Sequence, residues 1–278
     1  MPYVETRKAC QSRICYKSHS HPTFSIGAVD AGISRFTSSF ADEQEITVGN
    51  LVVIPAHVDH SCNPLPEHGW SYQMMHIDAQ WLSQLLQETK ADLSSLSDLN
   101  AINLDATDLD ALTSEFPLFK PRILKDQKIY QSFTLLNETL FDPNKSILEK
   151  EQLFLATLIN ILLPNLKWER IEISQYAQQF LPKLKQYLER DIENLSLQEL
   201  ANEVGISRYA LIRLFKQYFG QTPHAFQLNR KMNQARQLLK EGRDIAQLAY
   251  DLEFTDQSHF QRVFKQHTGV TPKQFIKN

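Results

Sequence analysis

Two sets of side chains near the C-terminus combine cations with amide and hydroxyl groups at helical spacing. The sets are Tyr209, Ile212, Arg213 and Lys216, and Ser258, Gln261, Arg262 and Lys265. Because their members are three or four residues apart, each set occupies one face of a helix. Guanidinium and ammonium groups suit phosphates, and amide and hydroxyl groups suit base edges. Either set alone is more typical of a solvated helix face, but two sets at matched positions favour a nucleic-acid contact.

The two sets belong to two copies of one sequence pattern. The segments 215–226 and 264–275 share Phe, Lys, Gly, Thr, Pro and Phe at an offset of 49 residues. Upstream, Leu200-Ala201 matches Leu248-Ala249 at an offset of 48, so the second copy has gained one residue. A turn accommodates such an insertion best, and each unit is therefore predicted to be a helix, a turn and a helix.

Residues that begin and end helices stand at matching places in both copies. Ser207 and Asp256 are favourable N-caps for the second helix of each unit, and Gly220 and Gly269 are placed to end it. Between the copies, an apolar stripe predicts a spacer helix from Pro223 to about Glu241. Its length of about 28 Å approaches the B-DNA repeat of about 34 Å. A stiff spacer of this length could hold two recognition helices in successive major grooves.

Residues 181–278 resemble the DNA-binding domain of the AraC/XylS family of transcription regulators. The resemblance rests on the segments 205–216 and 254–272, with Arg-x-Phe-Lys in both and Gly-Val-Thr-Pro at the end of the second. It implies two recognition helices in adjacent major grooves. The DNA-binding side chains that it implies are Arg208, Tyr209, Ile212, Arg213, Lys216, Gln257, Ser258, Gln261, Arg262 and Lys265. The sequence departs from the family at Glu253, where Gly is usual, and at the apolar Ile212.

The charge is unevenly distributed along the chain. The 278 residues contain 29 Lys/Arg and 32 Asp/Glu, a net charge of -3. Residues 181–278 contain 15 basic and 10 acidic residues, whereas residues 1–180 contain 14 and 22. The C-terminal part is thus suited to a phosphate backbone, and the acidic N-terminal part is not. This length also suggests two domains.

Cysteine usage and hydropathy predict a cytoplasmic protein with no membrane partner. An odd number of cysteines, Cys10, Cys15 and Cys62, without a CxxC pair favours reduced thiols. The first ten residues have no apolar core, so no signal peptide is expected. The longest apolar run, residues 153–164, is interrupted and too short to span a bilayer.

The N-terminal part is broken into short segments rich in Phe, Ile, Val and Thr. Residues 1–18 are predicted to be an irregular arm. The predicted strands are residues 24–29, 32–36, 44–48, 51–54 and 72–77. Short strands separated by Gly, Asp, Asn or Pro are typical of a small barrel or double-sheet roll.

This part resembles the cupin-like sensor domain of the same family, through residues 19–21, 49–55, 60 and 70–77. The resemblance implies a pocket for a small molecule or metal. His19, His21 and His60 stand where enzymatic cupins place metal-binding imidazoles, but residues 22–26 lack the usual carboxylate. We therefore expect no metal and no cofactor, and histidines that bond within strands or to a ligand. The candidate ligand-binding residues are His19, His21, Arg35, His60, Trp70 and Tyr72.

Helical patterns follow the predicted barrel. Residues 81–120 are polar, and helices are predicted from Ile123 to about Phe141 and from Ser146 to Leu163. The second is so apolar that it must be buried, against the barrel or against a second subunit. The predicted domains are a sensor domain (residues 1–165, including these dimerisation helices), a linker (166–180) and a DNA-binding domain (181–278).

Together these patterns predict an α+β protein of two domains, with an N-terminal cupin-like β-barrel followed by helices. An all-α C-terminal domain would carry two helix-turn-helix units joined by a long helix. The predicted function is transcription regulation, with promoter DNA, a small-molecule effector, a second copy of the chain and RNA polymerase as partners. No catalytic residue is expected. A metal-dependent cupin enzyme fused to a DNA-binding domain is the alternative, and an architectural protein with a vestigial barrel is a third interpretation.

Overall fold

Antiparallel strands form two sheets in the N-terminal part. The computed structural model describes residues 1–93, 114, 118–162, 165, 168–189 and 196–277. The strands are β1 Val4–Ser12, β2 Thr23–Ala31, β3 Ile33–Ser38, β4 Ala41–Thr47, β5 Leu51–Ile54, β6 Ser61–Pro64, β7 Trp70–Asp78 and β8 Arg122–Leu124. One sheet has the order β1-β7-β2-β5-β8 and the other the order β4-β3-β6. All five predicted strands are present, and the double-sheet architecture is confirmed.

The prediction of an irregular N-terminal arm is wrong over Val4–Ser12. These residues form an edge strand that pairs with β7, from Val4 opposite Ile77 to Ala9 opposite Tyr72. The strand escaped prediction because most of its residues are polar or charged and none is fully buried, as is common at sheet edges. The short strands β6 and β8 also lacked a recognisable pattern.

Helices α1 (Ala79–Leu93), α2 (Gln127–Phe141) and α3 (Ile147–Thr157) follow the sheets. Helix α2 begins at Gln127 rather than Ile123, because β8 precedes it and Asp126 supplies the N-cap. Helix α3 begins with a capping box formed by Ser146 and Glu149 and continues as a π-helical turn over residues 158–162. The core between these helices and the larger sheet contains Phe24, Ile26, Leu51, Met75, Ile77, Phe133, Leu136, Phe154 and Leu158.

The C-terminal part is helical and contains the predicted repeat. Its helices are α4 Gln175–Glu189, α5 Leu197–Val204, α6 Arg208–Phe219, α7 Pro223–Lys240, α8 Ile245–Asp251, α9 Gln257–Thr268 and α10 Pro272–Lys277. The pairs α5–α6 and α8–α9 are the two helix-turn-helix units, and α7 is the spacer helix. Gly220 and Gly269 end α6 and α9 in the left-handed conformation, with φ of 67° and 81°.

Each helix-turn-helix unit has its own apolar core, and the spacer helix contributes to both. Phe226, near the start of α7, joins the first core, whereas Met232 and Leu239 belong to the second. Helix α4 begins within the segment proposed as a linker, and its Ala177 and Leu184 are buried in the first core. The spacer helix is therefore packed into the cores of both units.

Candidate functional sites

The predicted DNA-binding residues lie on the outward faces of α6 and α9. Ile212 and Gln261 are half-buried, and the other eight side chains are exposed. Tyr209 is 72% exposed, which is unusual for an aromatic side chain. The apolar faces of both helices are buried instead, so each recognition helix presents cations and polar groups to solvent. The structure thus brings together every residue of the two predicted sets, and their contact with DNA stays a prediction.

The turn of the second unit contains backbone strain. Glu253 has a φ of 59°, a conformation that glycine adopts freely and other residues adopt at a cost. The ammonium group of Lys231 on the spacer helix donates to the carbonyl of Leu252 at 3.1 Å and to the Glu253 carboxylate at 3.0 Å. The spacer helix thereby holds the strained turn.

Three histidines of the sensor domain form one group, the histidine cluster of His19, His21 and His60, in which His19 and His60 are buried and His21 is half-buried. The ring centroids of His19 and His60 are 4.7 Å apart, and those of His19 and His21 are 4.8 Å apart. One ring nitrogen from each residue lies within 4.8 Å of the others, so these residues could hold one metal ion. His76 of β7, which sequence reasoning missed, lies next to the cluster with its ring 4.8 Å from that of His21.

Backbone carbonyls fix the orientation of two of these rings. The Nδ1 atom of His19 lies 2.7 Å from the carbonyl oxygen of Lys17, and that of His60 lies 3.0 Å from the carbonyl oxygen of Val58. Since a carbonyl only accepts, both Nδ1 atoms carry the hydrogen and both Nε2 atoms keep a lone pair. Burial lowers the pKa of His19 well below its ordinary value and that of His60 to about 4, so both are neutral at pH 7.

Aromatic and basic side chains complete the wall of the cavity beside the cluster. Trp70 and Tyr72 stack at 4.3 Å and line the same cavity as the three histidines. The hydroxyl of Tyr16 lies 2.8 Å from that of Tyr72, and the guanidinium of Arg7 lies 5.7 Å from the Tyr72 ring. In the described structure, Nε of Arg7 and Nε1 of Trp70 are buried without a hydrogen-bond partner. These donors are available to a ligand.

Arg35 is not part of this cavity. It lies on β3 between the buried residues Ser34 and Phe36, so its side chain points to the opposite, exposed face of the strand. There it pairs with Glu43 at 3.3 Å and Glu45 at 3.9 Å. The prediction of Arg35 as a ligand-binding residue is corrected accordingly.

The spacer helix contacts the sensor domain through two asparagines. The Asn229 side chain accepts from the backbone nitrogen of Ser20 at 3.1 Å and donates to its hydroxyl at 2.9 Å. Asn229 and Asn233 both donate to the Ser20 carbonyl, at 3.2 and 3.1 Å. Both Ser20 and Asn229 are buried, so the polar groups of this contact are withdrawn from water.

Charged residues extend the contact one and two turns further along the helix. Arg236 donates from Nη1 to Nδ1 of His21 at 3.1 Å, and a second Arg236 nitrogen lies 3.8 Å from the Glu5 carboxylate. Lys240 also pairs with Glu5. Sequence reasoning missed this polar stripe, although its spacing of four, three and four residues along one helix was a usable signal.

A second cavity lies between the two domains. It is lined by Arg7, His19, His21, His76, Asn229, Met232, Asn233, Arg236, His267, Thr268 and Phe275. No carboxylate occurs among these lining residues. The histidine cluster therefore faces the barrel interior on one side and the DNA-binding domain on the other.

The sensor domain also contacts the ends of both recognition helices. A Cβ atom at Gly220 would overlap the carboxylate of Asp59, and one at Gly269 would overlap the hydroxyl of Tyr16. Glycine is thus required at both positions by the close approach as well as by the left-handed backbone.

None of the helices in the described ranges has the length and apolar composition of a membrane span.

Two family models match the chain. One, described as an AraC-like ligand binding domain, matches residues 2–158, and the other, described as a helix-turn-helix domain, matches residues 200–278. The HTH-type transcriptional regulator YbfI of Bacillus subtilis is 24% identical over 245 residues, which are 88% of this chain and 81% of that protein. The HTH-type transcriptional regulator ArgR of Pseudomonas aeruginosa is 33% identical over 111 residues, 38% of this chain and 34% of that protein.

The fold is also similar to that of a solved two-domain protein. The crystal structure of ToxT from Vibrio cholerae O395 superposes with a TM-score of 0.61 at 13% identity, covering 100% of this chain and 98% of that one. A second structure of ToxT, bound to (E)-4-(8-methylnaphthalen-1-yl)but-3-enoic acid, gives a TM-score of 0.55 at 15% identity, covering 99% and 98%. Both domains and their order are therefore shared with a known fold.

Proposed function

Because the chain belongs to the AraC family of transcription regulators, we propose that its two recognition helices bind adjacent major grooves of promoter DNA. We further propose that a small organic acid, bound beside the histidine cluster, changes this binding. The chain has the family's ligand-binding domain and its helix-turn-helix domain. The proposal assigns no catalytic step to it. If an acid changes DNA affinity, DNA must change the affinity for the acid by the same factor.

The observation that carries the proposal is the cavity whose walls come from both domains. Arg7 of the sensor domain and Arg236 of the spacer helix both line it. Burial keeps the histidines neutral, so the guanidinium groups supply its positive charge. Glu5 is already paired with Arg236, whereas Nε of Arg7 is buried without a partner in the described structure. An anion at Arg7 would complete this hydrogen bonding and touch both domains at once.

The solved relatives of this fold support an acidic ligand. ToxT has been solved with a substituted butenoic acid and with an unsaturated fatty acid bound. Carboxylates accept bidentate hydrogen bonds from arginine, which fits the unpartnered donor of Arg7. We assign the same chemical class of ligand, an organic carboxylate, to this chain.

The helices that follow the barrel support a homodimer. Leu135, Phe141, Ile147 and Leu148 on α2 and α3 are 49% to 74% exposed. Exposed apolar side chains on neighbouring helices are typical of protein interfaces. We propose that a second copy covers them in the cytoplasm and that the DNA-bound regulator contacts RNA polymerase at the promoter.

The test is a DNA-binding titration with acids and their uncharged counterparts. A duplex obtained by in vitro selection on the full chain is titrated by fluorescence anisotropy with benzoate, butyrate or oleate, each beside its primary amide. We expect at least one acid to change the DNA affinity severalfold and its amide to have little effect. Arg7→Met should lose the response, whereas Arg35→Met, an exposed arginine outside the cavity, should retain it. An equal effect of acid and amide, or no effect of any acid, contradicts the proposal.

A further inference from the structure

We propose that His19, His21 and His60 form a site for a transition-metal ion such as Zn²⁺, and that the metal and Arg236 compete for His21. Sequence reasoning expected no metal because a carboxylate is missing. Three imidazoles are nevertheless sufficient, since zinc is bound by three protein ligands in many sites that keep one open position.

The geometry of the cluster suits a metal. A tetrahedral zinc ion with Zn–N distances of about 2.0–2.1 Å separates its ligand nitrogens by about 3.3 Å. The ring nitrogens of the cluster all lie within 4.8 Å of one another, so small rotations of the side chains close the gap. The cluster is also held on a rigid frame, since the backbone amides of His19 and His60 each donate to the other residue's carbonyl, at 3.0 and 2.9 Å.

The hydrogen bonds of His19 and His60 point the correct atoms at the metal. Metal-binding histidines generally donate their other ring N–H to a carbonyl or carboxylate, which fixes the tautomer and the ring orientation. The Nδ1 atoms of His19 and His60 donate to the carbonyls of Lys17 and Val58 in this way. Their Nε2 lone pairs are therefore free to coordinate without any proton being released.

His21 differs because its Nδ1 atom accepts a hydrogen bond from Arg236. A guanidinium group can only donate, so the neutral His21 ring carries its hydrogen on Nε2. Coordination through Nδ1 would displace Arg236 directly. Coordination through Nε2 would move the hydrogen to Nδ1, where it would face the guanidinium N–H as donor against donor. Either mode breaks the bond between His21 and Arg236, and metal binding thus releases one contact of the spacer helix.

The test is a metal titration of the full chain, without a polyhistidine tag and after chelator treatment. Co²⁺ is followed by its visible absorption, and Zn²⁺ is measured by displacing it. We expect one equivalent per chain and a loss of affinity of about tenfold or more in His21→Gln and His19→Gln. His68→Gln is the matched control, because His68 is exposed and its ring bonds to the nearby carbonyl of Pro66, away from the cluster. Binding that is unsaturable, or that is unchanged in both cluster variants, overturns the site.

Two spacer-helix variants test the competition. Arg236→Met removes the group that competes for His21, so it should bind Zn²⁺ at least about threefold more tightly than the wild type. Lys240→Met removes an equal charge from the same Glu5 network, one turn further along, without touching His21. Its zinc affinity should stay within about twofold of the wild type. Equal affinities in the wild type and Arg236→Met, or an equal gain in Lys240→Met, overturns the competition.

Discussion

Two substitutions of Glu253 separate the destabilisation caused by backbone strain from the stabilisation contributed by the ion pair with Lys231. Glu253 has a φ of 59° in the turn between α8 and α9, and its carboxylate pairs with Lys231. Glu253→Ala removes the pair and keeps the strained backbone. Glu253→Gly removes the same pair and relieves the strain. In both variants Lys231 can keep its hydrogen bond to the Leu252 carbonyl, so that contribution to stability cancels.

The difference between the two variants follows from the backbone alone. A residue with a side chain in the left-handed conformation costs about 1–2 kcal/mol. Glycine avoids this cost, but its unfolded chain has more conformational freedom, which lowers the stability of a glycine variant by about 0.4–1 kcal/mol. Glu253→Gly should therefore be about 0.5–1 kcal/mol more stable than Glu253→Ala. The ion pair, which involves a half-exposed carboxylate, contributes at most about 1 kcal/mol, so Glu253→Ala should be slightly less stable than the wild type.

The assay is unfolding in urea followed by far-UV circular dichroism, with the wild type and both variants compared at one protein concentration. Glu253 lies outside the outward faces of the recognition helices, so DNA affinity should change by less than about threefold. A Glu253→Ala variant as stable as Glu253→Gly would refute the assignment of strain to this turn.

Four further substitutions test the recognition faces, the contact between the domains and the spacer helix. Arg213→Ala and Arg262→Ala should each weaken DNA binding by about 1–3 kcal/mol with unchanged melting temperature, and full affinity in both would contradict the predicted contacts. Asn229→Ala leaves the buried amide of Ser20 without its acceptor, so it should destabilise the domain contact by about 1–3 kcal/mol and speed hydrogen exchange there. Met232→Asp buries a charge in the second core and should unfold the DNA-binding domain together with loss of DNA binding, as measured by circular dichroism and anisotropy.

The helical repeat could be predicted because its local signals agree with its packing. Ser207 and Asp256 cap their helices as expected, and Gly220 and Gly269 end them in the left-handed conformation. Each of these features depends on a few adjacent residues, which the sequence displays directly. Strand β1 could not be predicted in the same way, because an edge strand of mostly polar and charged residues lacks the apolar alternation of an inner strand.

The contacts between domains depend on residues far apart in the sequence, and pattern alone does not pair them. The polar stripe that contains Asn229 is visible in the sequence, but only the partner at Ser20 explains why the Asn229 amide is buried. Arg35 shows the opposite error, since a cation on a predicted strand suited a ligand until the strand's pleat placed it outside. The sequence singled out the three histidines that the structure brings together, and their role as ligand-binding residues stays a prediction. The hydrogen bond of Arg236 to His21 could not be foreseen, because it depends on the docking of the two domains.

The sensor domain contacts the DNA-binding domain at the end of α6, along the spacer helix and at the end of α9. Two helical cores joined by a single helix would otherwise sample a range of relative orientations. Holding them at three points removes that freedom before DNA is met, so less conformational entropy is lost on binding two grooves. If the docked domains hold the two recognition helices at the spacing of the major grooves, this rigidity increases the affinity for DNA. If they hold the helices at a different spacing, the contacts between the domains must break before both helices can bind. Opposite effects of a ligand on transcription can therefore arise from the same docking surface, according to which arrangement the ligand favours.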